Sequence, residues 1–251
     1  MEFVRFQHCE KAYYGEVEGE TVYILDRSYF DEGCKRTENN VKLNEVRLLT
    51  PVQPSKIICI GLNYAKHIEE LGHTLHEEPV IFLKPLTTLV GPGDEIILPK
   101  MSQQVEYEAE LVVVIGKTLK EIPEDQVFDS IFGYTCGNDV TARDLQRKDG
   151  QWTRSKGFDT FCPIGPSIVT DLNPNKVGIR SILNEEVRQS SNTEYFIHAI
   201  PKLVSYISQI MTLYPGDVIM TGTPEGVGPM NSRDNIVIQI KGIGELHNTV
   251  R

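Results

Sequence analysis

The 251-residue sequence contains no apolar run that approaches a membrane span, and its opening residues Met1-Glu-Phe-Val-Arg-Phe-Gln-His8 lack an apolar stretch. A helix needs about 20 consecutive apolar residues to cross the hydrocarbon core, so neither insertion nor export is expected and a cytoplasmic location is. Cysteine is sparse and unpaired: Cys9, Cys34, Cys59, Cys136 and Cys162 are odd in number, widely scattered and nowhere spaced as Cys-x-x-Cys. That excludes a disulfide framework and a cysteine zinc site, and leaves reduced thiols used in packing. Positive charge is in deficit, with 25 Lys and Arg against 35 Asp and Glu for a net charge of −10. Nucleic acid and anionic membranes want a basic surface, so neither is expected as partner, and a small molecule fits better. The sequence also has no internal repeat and no low-complexity tract. Its glycine-rich run Asp217-Val-Ile-Met-Thr-Gly-Thr-Pro-Glu-Gly-Val-Gly228 has no Gly-Lys-Ser/Thr ending and does not follow the dinucleotide fingerprint, which excludes a nucleotide site. Such a loop can still present Thr223 and backbone N–H groups to a ligand.

What is present reads as a mixed α+β, β-rich chain. Residues 1 to about 50 alternate as short strands, Ala12 to Val17 and Gly19 to Leu25, punctuated by Gly15, Gly19 and Gly33. Pro51 and Pro54 mark a boundary, giving a small N-terminal domain over 1–53 and a main domain over 54–251. After the apolar strand Lys56 to Gly61, a short helix is expected with Asn63 as its N-cap. On it His67 and Glu70 are three apart and share a face, a spacing that suits an acid/base pair but is also common on solvated helices. Ile68 follows His67, so the zinc-protease His-Glu-x-x-His pattern is excluded, and His73 and His76 carry no assigned role. Val177 to Gln189 reads as a hairpin turning at Asn184-Glu185. Ile200, Leu203, Val204, Ile207, Ile210 and Met211 form a helical apolar stripe for the core, with Pro201 in the first turn and Pro215-Gly216 as the stop.

The stretch Val105-Glu-Tyr-Glu-Ala-Glu-Leu-Val-Val-Val-Ile-Gly116 drives acidic side chains into the most apolar run of the chain. A period of two puts Glu106, Glu108 and Glu110 on one face with Val112 and Val114. Carboxylates there need protons, Arg or Lys, or a hard divalent cation; the other reading is an edge strand whose Glu side chains face water. The residues alone leave these two even. Asp139 lies where a strand gives way to a turn or helix start, a place for a functional carboxylate and equally for a helix cap. Residues 143–156 hold Arg143, Arg147, Lys148, Arg154 and Lys156 against Asp144 and Asp149, a local cationic patch that suits an anionic ligand beside a metal, or an exposed solubilising loop.

An ordered set of motifs resembles the fumarylacetoacetate hydrolase family, in particular its short acylpyruvase and oxaloacetate decarboxylase branch. The motifs are Gly61-Leu-Asn-Tyr-Ala-Lys-His67, Phe82-Leu-Lys-Pro85, Glu108-Ala-Glu110-Leu, Asn138-Asp-Val-Thr-Ala-Arg-Asp144, Lys156-Gly-Phe-Asp-Thr-Phe-Cys-Pro163 and Thr221-Gly-Thr-Pro-Glu-Gly-Val-Gly228, spread over roughly residues 55 to 245. The resemblance implies a β-sandwich roll of mixed strands with few helices, a homodimer, and one Mg²⁺ or Mn²⁺ (Ca²⁺ as a stand-in within a crystal) held by Glu108, Glu110 and Asp139, with Glu106 outside the ligand set. It implies that His67 and Glu70 form the acid/base pair on a lid helix and that Lys156 serves the oxyanion or substrate carboxylate. Arg143, Gln146 and Thr223 would line the substrate pocket, with Lys84 nearby. Two features depart from the family pattern: Asn184-Glu185 stands where relatives often turn through Asn-Gly, and the first fifty residues carry no matched signature.

The implied activity is Mg²⁺- or Mn²⁺-dependent hydrolysis of a carbon–carbon bond in acylpyruvate-type 2,4-dioxo acids, giving pyruvate and a carboxylic acid. Oxaloacetate decarboxylase or keto–enol tautomerase activity is the first alternative, and 2-hydroxyhepta-2,4-diene-1,7-dioate isomerase/decarboxylase activity in aromatic degradation the second. All take a small anionic 2-oxo acid and stabilise the same developing enolate charge, so the ligand residues do not choose among them. A non-catalytic metabolite-binding role would not need His67, Glu70 and Lys156 together.

Overall fold

The computed structural model describes residues 1–72 and 74–251; His73 lies outside the described residues. It is mixed α+β and rich in strands, with four α-helices among the described residues: α1 (Ala65–Leu71), α2 (Arg143–Asp149), α3 (Thr153–Lys156) and α4 (Ile200–Ile210). The largest sheet has twelve strands. Its main path runs Arg36–Lys42, Thr21–Leu25, Lys11–Glu18, Glu2–His8, Cys162–Val169, Ile131–Asn138, Ala109–Ile115, Val218–Met220, Ile57–Gly61 and Val80–Lys84. Most neighbours are antiparallel, but Val218–Met220 lies parallel to Ile57–Gly61, so the sheet is mixed. A five-stranded sheet and a three-stranded one complete the roll.

The acidic stretch lies inside the sheets and not at an edge: Ala109–Ile115, which carries Glu110, is an inner strand of the twelve-stranded sheet, and Val105–Tyr107, which carries Glu106, is the middle strand of the three-stranded one. Ala109–Ile115 pairs with Ile131–Asn138 on one side and with Val218–Met220 on the other, and all seven of its residues are buried. A strand covered on both faces reads as a continuous apolar run, which explains the Val-Val-Val-Ile sequence. The two-residue period divides it between two cores: Leu111, Val113 and Ile115 pack into one, Val112 and Val114 into the other. The reading of the glutamates as water-facing side chains on an edge strand is therefore overturned: Glu106, Glu108 and Glu110 are all buried.

The N-terminal strands extend the same sheet, since Glu2 and Phe3 pair with Val169 and Ile168. Aromatic packing reinforces the junction: Phe132 stands 5.3 Å from Phe3 and 5.4 Å from Tyr29, centroid to centroid. The hairpin forms where expected, between Gly178–Leu183 and Glu186–Asn192. Asn184 (φ 50°) and Glu185 (φ 70°) both occupy the left-handed region that a type I′ turn requires, so the turn type survives with Glu in the place of glycine. Helix α4 buries Ile200, Leu203, Val204 and Ile207, whereas Ile210 at its end is exposed. None of the helices of the described residues is long and apolar enough to cross a membrane.

Asn63 departs from its expected role. Tyr64 is the residue that precedes α1, and the Asn63 side chain is turned inward instead. Its Nδ2 donates to the carbonyls of His198 (3.1 Å) and Thr221 (2.8 Å), while Oδ1 accepts from the His198 N–H (2.7 Å). One fully buried amide thus joins three chain segments beside the site, which outweighs a cap bond that water could replace. Asn63→Ala strands two carbonyls and one N–H, and should lower unfolding free energy by about 3 kcal/mol. Urea denaturation measures it, and a loss below about 1 kcal/mol would contradict this role.

Candidate active site

Three carboxylates meet where the central strands end. Glu108 occupies the break between the strands Val105–Tyr107 and Ala109–Ile115, and Glu110 is the second residue of the latter. Asp139 follows Ile131–Asn138 directly, and its N–H donates to the Glu108 carbonyl at 3.0 Å. Asp139 is not a helix cap, because α2 starts only after Ala142. One oxygen from each of Glu108, Glu110 and Asp139 lies within 4.8 Å of the others, and all three side chains are buried.

Buried cations answer part of this charge. Lys156 Nζ bridges Glu108 (2.8 Å) and Asp139 (2.7 Å), Lys84 donates to Asp139, and Arg143 donates to Glu108 and, through Nε, to Glu106 at 2.6 Å. Glu110 differs: among the described residues its carboxylate accepts only the Gly222 N–H, at 2.7 Å. Four buried carboxylates therefore face three buried cations, an excess of one negative charge. Burial, followed by the charges of Asp139 and Glu108, pushes the Glu110 carboxyl well above its ordinary range, which disfavours its charged form. Glu108 goes the other way; burial raises it, but the charges of Lys156 and Arg143 outweigh that and hold it well below. Oxygen-only donors around an uncompensated buried acid fit a hard divalent cation.

The His67–Glu70 pair comes from α1. His67 Nδ1 lies 3.1 Å from Glu70 Oε2, while Glu70 Oε1 accepts the Gly226 N–H at 3.0 Å and so ties the helix to the glycine-rich loop. Burial raises the Glu70 carboxyl, but the hydrogen bonds from His67 and Gly226 bring it below its usual value. With Nδ1 engaged, Nε2 is the nitrogen left to work in the pocket that His67 lines.

That pocket encloses roughly 310 Å³, open mouth included, and is lined by His67, Glu108, Glu110, Asp139, Arg143, Gln146, Lys156 and Thr223 on its polar side. Gln146 accepts from Arg143, and Thr223 is held by Gln189 Nε2 at 2.8 Å. Lys84 is not on the wall: it is fully buried behind Asp139, with Nζ also 3.1 Å from the Val140 carbonyl. The cationic segment 143–156 is no uniform exposed loop. Arg143 and Lys156 turn inward, while Arg147 and Lys148 stay exposed and Arg154 pairs with Asp149 at the surface.

Sequence reasoning did not find the apolar wall, formed by Ile60, Leu62, Leu71, Phe82 and Trp152. Trp152 stands edge-on to Phe82 at 5.2 Å and lies against Gly61, where a Cβ would come within 2.4 Å of the indole. Apolar side chains carry no spacing signature for a pocket; the chain's only tryptophan, four residues before Lys156, was the one available hint.

A family model described as fumarylacetoacetate (FAA) hydrolase C-terminal matches residues 56–251, and one described as Rv2993c-like, N-terminal, matches residues 1–51. The chain is 36% identical to the mitochondrial oxaloacetate tautomerase Fahd2a of Rattus norvegicus, covering 100% of this chain and 91% of that protein. Among solved structures, it is similar to 5-carboxymethyl-2-hydroxymuconate delta-isomerase from Mycobacterium smegmatis, with TM-score 0.94 and 45% identity over 100% of this chain and 99% of that one. It is also similar to 2-hydroxyhepta-2,4-diene-1,7-dioate isomerase from Mycobacterium marinum, with TM-score 0.93 and 43% identity over 100% and 98% of the two chains.

The raised Glu110 carboxyl sets the direction of a pH effect. A cation must displace its proton, so Mg²⁺ affinity should rise with pH, by about tenfold per unit while the cation-free protein keeps that proton. Calorimetric titration in buffers of different ionisation enthalpy should show release of about one proton per ion bound, and a pH-independent affinity would exclude this linkage.

Proposed function

The chain belongs to the fumarylacetoacetate hydrolase family, and on that premise we propose that it is a Mg²⁺- or Mn²⁺-dependent enzyme that interconverts the keto and enol forms of a small 2-oxo acid such as oxaloacetate. The observation that carries this reading is the His67–Glu70 pair facing the buried triad of Glu108, Glu110 and Asp139 across one small pocket. The triad would hold the cation, which supplies Lewis-acid stabilisation of negative charge on the 2-oxo oxygen. His67 Nε2 takes the proton from the carbon beside the 2-oxo group, and the pair of electrons left behind forms the enolate double bond. Glu70 accepts the Nδ1 hydrogen and steadies the imidazolium so formed. Lys156 and Arg143 offset the charge gathering at the carboxylate and oxygen, and His67 returns its proton to oxygen instead of carbon. No atom is gained or lost. The similarity to an oxaloacetate tautomerase and to two isomerases supports proton transfer as the outcome.

A specific observation favours a second reading, hydrolysis of an acylpyruvate. The apolar wall of Leu62, Leu71, Phe82 and Trp152 suits an uncharged acyl group. His67 would then deprotonate water for attack on the distal carbonyl, and carbon–carbon cleavage would release a carboxylic acid and the pyruvate enolate. Decarboxylation of oxaloacetate passes through that same enolate.

A proton NMR time course with oxaloacetate and, separately, acetylpyruvate separates these readings, each run with Mg²⁺ and then with excess chelator. Faster keto–enol exchange in oxaloacetate, abolished by chelator, is expected. Acetate and pyruvate from acetylpyruvate would establish the hydrolase instead, and no metal-dependent change in either substrate would overturn both. His67→Ala should lower kcat by at least about 100-fold. Calorimetry should find its Mg²⁺ affinity within about twofold of wild type, since His67 is no ligand; unchanged turnover would remove the assigned base.

A further inference from the structure

Glu106 is the buried carboxylate that the triad does not use. It does not line the pocket, and its two oxygens are taken by Arg143 Nε and by Gln104 Nε2, both at 2.6 Å. Arg143 does line the pocket, and it is 2% exposed. Its guanidinium is held on three sides, with Nε on Glu106, Nη1 on Gln146 and Nη2 on Glu108. A guanidinium carries N–H donors in a planar fork, so these contacts leave one N–H on each terminal nitrogen for a ligand. The backbone repeats the clamp: the Arg143 N–H donates to the Gln104 carbonyl at 2.8 Å, and Val105 and Glu106 pair with Ala142 and Thr141.

We propose that Glu106 is a positioning residue: it fixes the Arg143 guanidinium so that its two remaining N–H groups meet the substrate carboxylate, and offsets the Arg143 charge beside the cation ligands. This rests on the 2-oxo acid chemistry proposed above. Glu106 touches neither substrate nor cation, and acts through Arg143. Without it, Glu108 becomes the sole anion on the guanidinium, which is then free to turn about that contact and to draw on a carboxylate the cation needs.

The test uses the full chain with oxalate, a planar dianion shaped like the enolate of a 2-oxo acid, titrated calorimetrically at saturating Mg²⁺ alongside kinetics with oxaloacetate. Glu106→Gln preserves the size of the side chain and removes its charge. Loss of one charge-assisted anchor should weaken oxalate by about tenfold and raise KM similarly, with kcat changed by less than about threefold. Both effects should vanish when the substitution is made in Arg143→Met protein, and Glu106→Asp should restore part of the affinity. Gln104→Met, which removes one hold on Glu106 but leaves the ion pair, should weaken oxalate by about threefold and provides the answer if Glu106→Gln does not fold. Unchanged oxalate affinity in both variants, or an equal loss in the Arg143→Met background, would overturn the assignment. Wild-type protein that binds no oxalate with Mg²⁺ would instead overturn the 2-oxo acid reading, and the role of Glu106 with it.

Discussion

Burying four carboxylates at the end of a central strand is the constraint on which the rest of this structure depends. An unpaired charge cannot remain in such a place, because desolvation costs more than the fold can supply. Lys84, Arg143 and Lys156 answer three of the four, and each reaches the cluster from a different part of the chain. Lys84 ends an edge strand, Arg143 starts α2 and Lys156 ends α3. The shortfall of one positive charge falls on Glu110, which has the Gly222 N–H for company and whose carboxyl is pushed well above its ordinary range. The site is thus arranged around a deficit of positive charge, which a divalent cation would fill.

The architecture serves this arrangement. Strands that end side by side put Glu108 and Asp139 next to each other without any helix or loop to position them. Opposite them, α1 is short and rests on the glycine-rich loop through Glu70 and Gly226, so the carboxylate that orients His67 with one oxygen seats the helix with the other. Glu70 links position and chemistry in one side chain. Gln189 extends this support from the other side, holding the Ala109 N–H at 3.0 Å together with Thr223 and the Pro224 carbonyl.

Tautomerisation, decarboxylation and hydrolytic cleavage of 2-oxo acids all converge on an enolate whose charge develops at the same oxygen. On the proposed reading, a pocket with a buried carboxylate triad that could hold a cation, a histidine positioned to act as base and two cationic side chains answers that shared demand. What separates the reactions is the distal part of the substrate, and there the pocket offers apolar side chains, Leu71 from α1 and Trp152 beside α3. On the proposed reading, specificity would lie on the wall that carries no charge, away from the groups assigned to the chemistry.

Much of this was legible in the sequence, because the chemistry depends on residue types that stand out against their surroundings. Glutamates in a Val/Ile run, a histidine and glutamate one helical turn apart, and a cationic segment in an acidic chain signalled the site, and the resemblance to a family assembled them. Alternating strands, the hairpin and α4 followed from local periodicity. Tertiary structure decided what local pattern leaves open. Whether the glutamates faced water or the interior depended on two strands, Ile131–Asn138 and Val218–Met220, that are distant in sequence. Asn63 has the composition of a cap, but its amide satisfies His198 and Thr221, more than 130 positions away. Lys84, expected at the substrate, lies behind Asp139, and Glu106 found its purpose only against Arg143. The reason is common to all four: a polar side chain declares its chemistry in the sequence, whereas its partner, and hence its charge state and role, is set by whichever groups the folded chain brings within hydrogen-bonding distance.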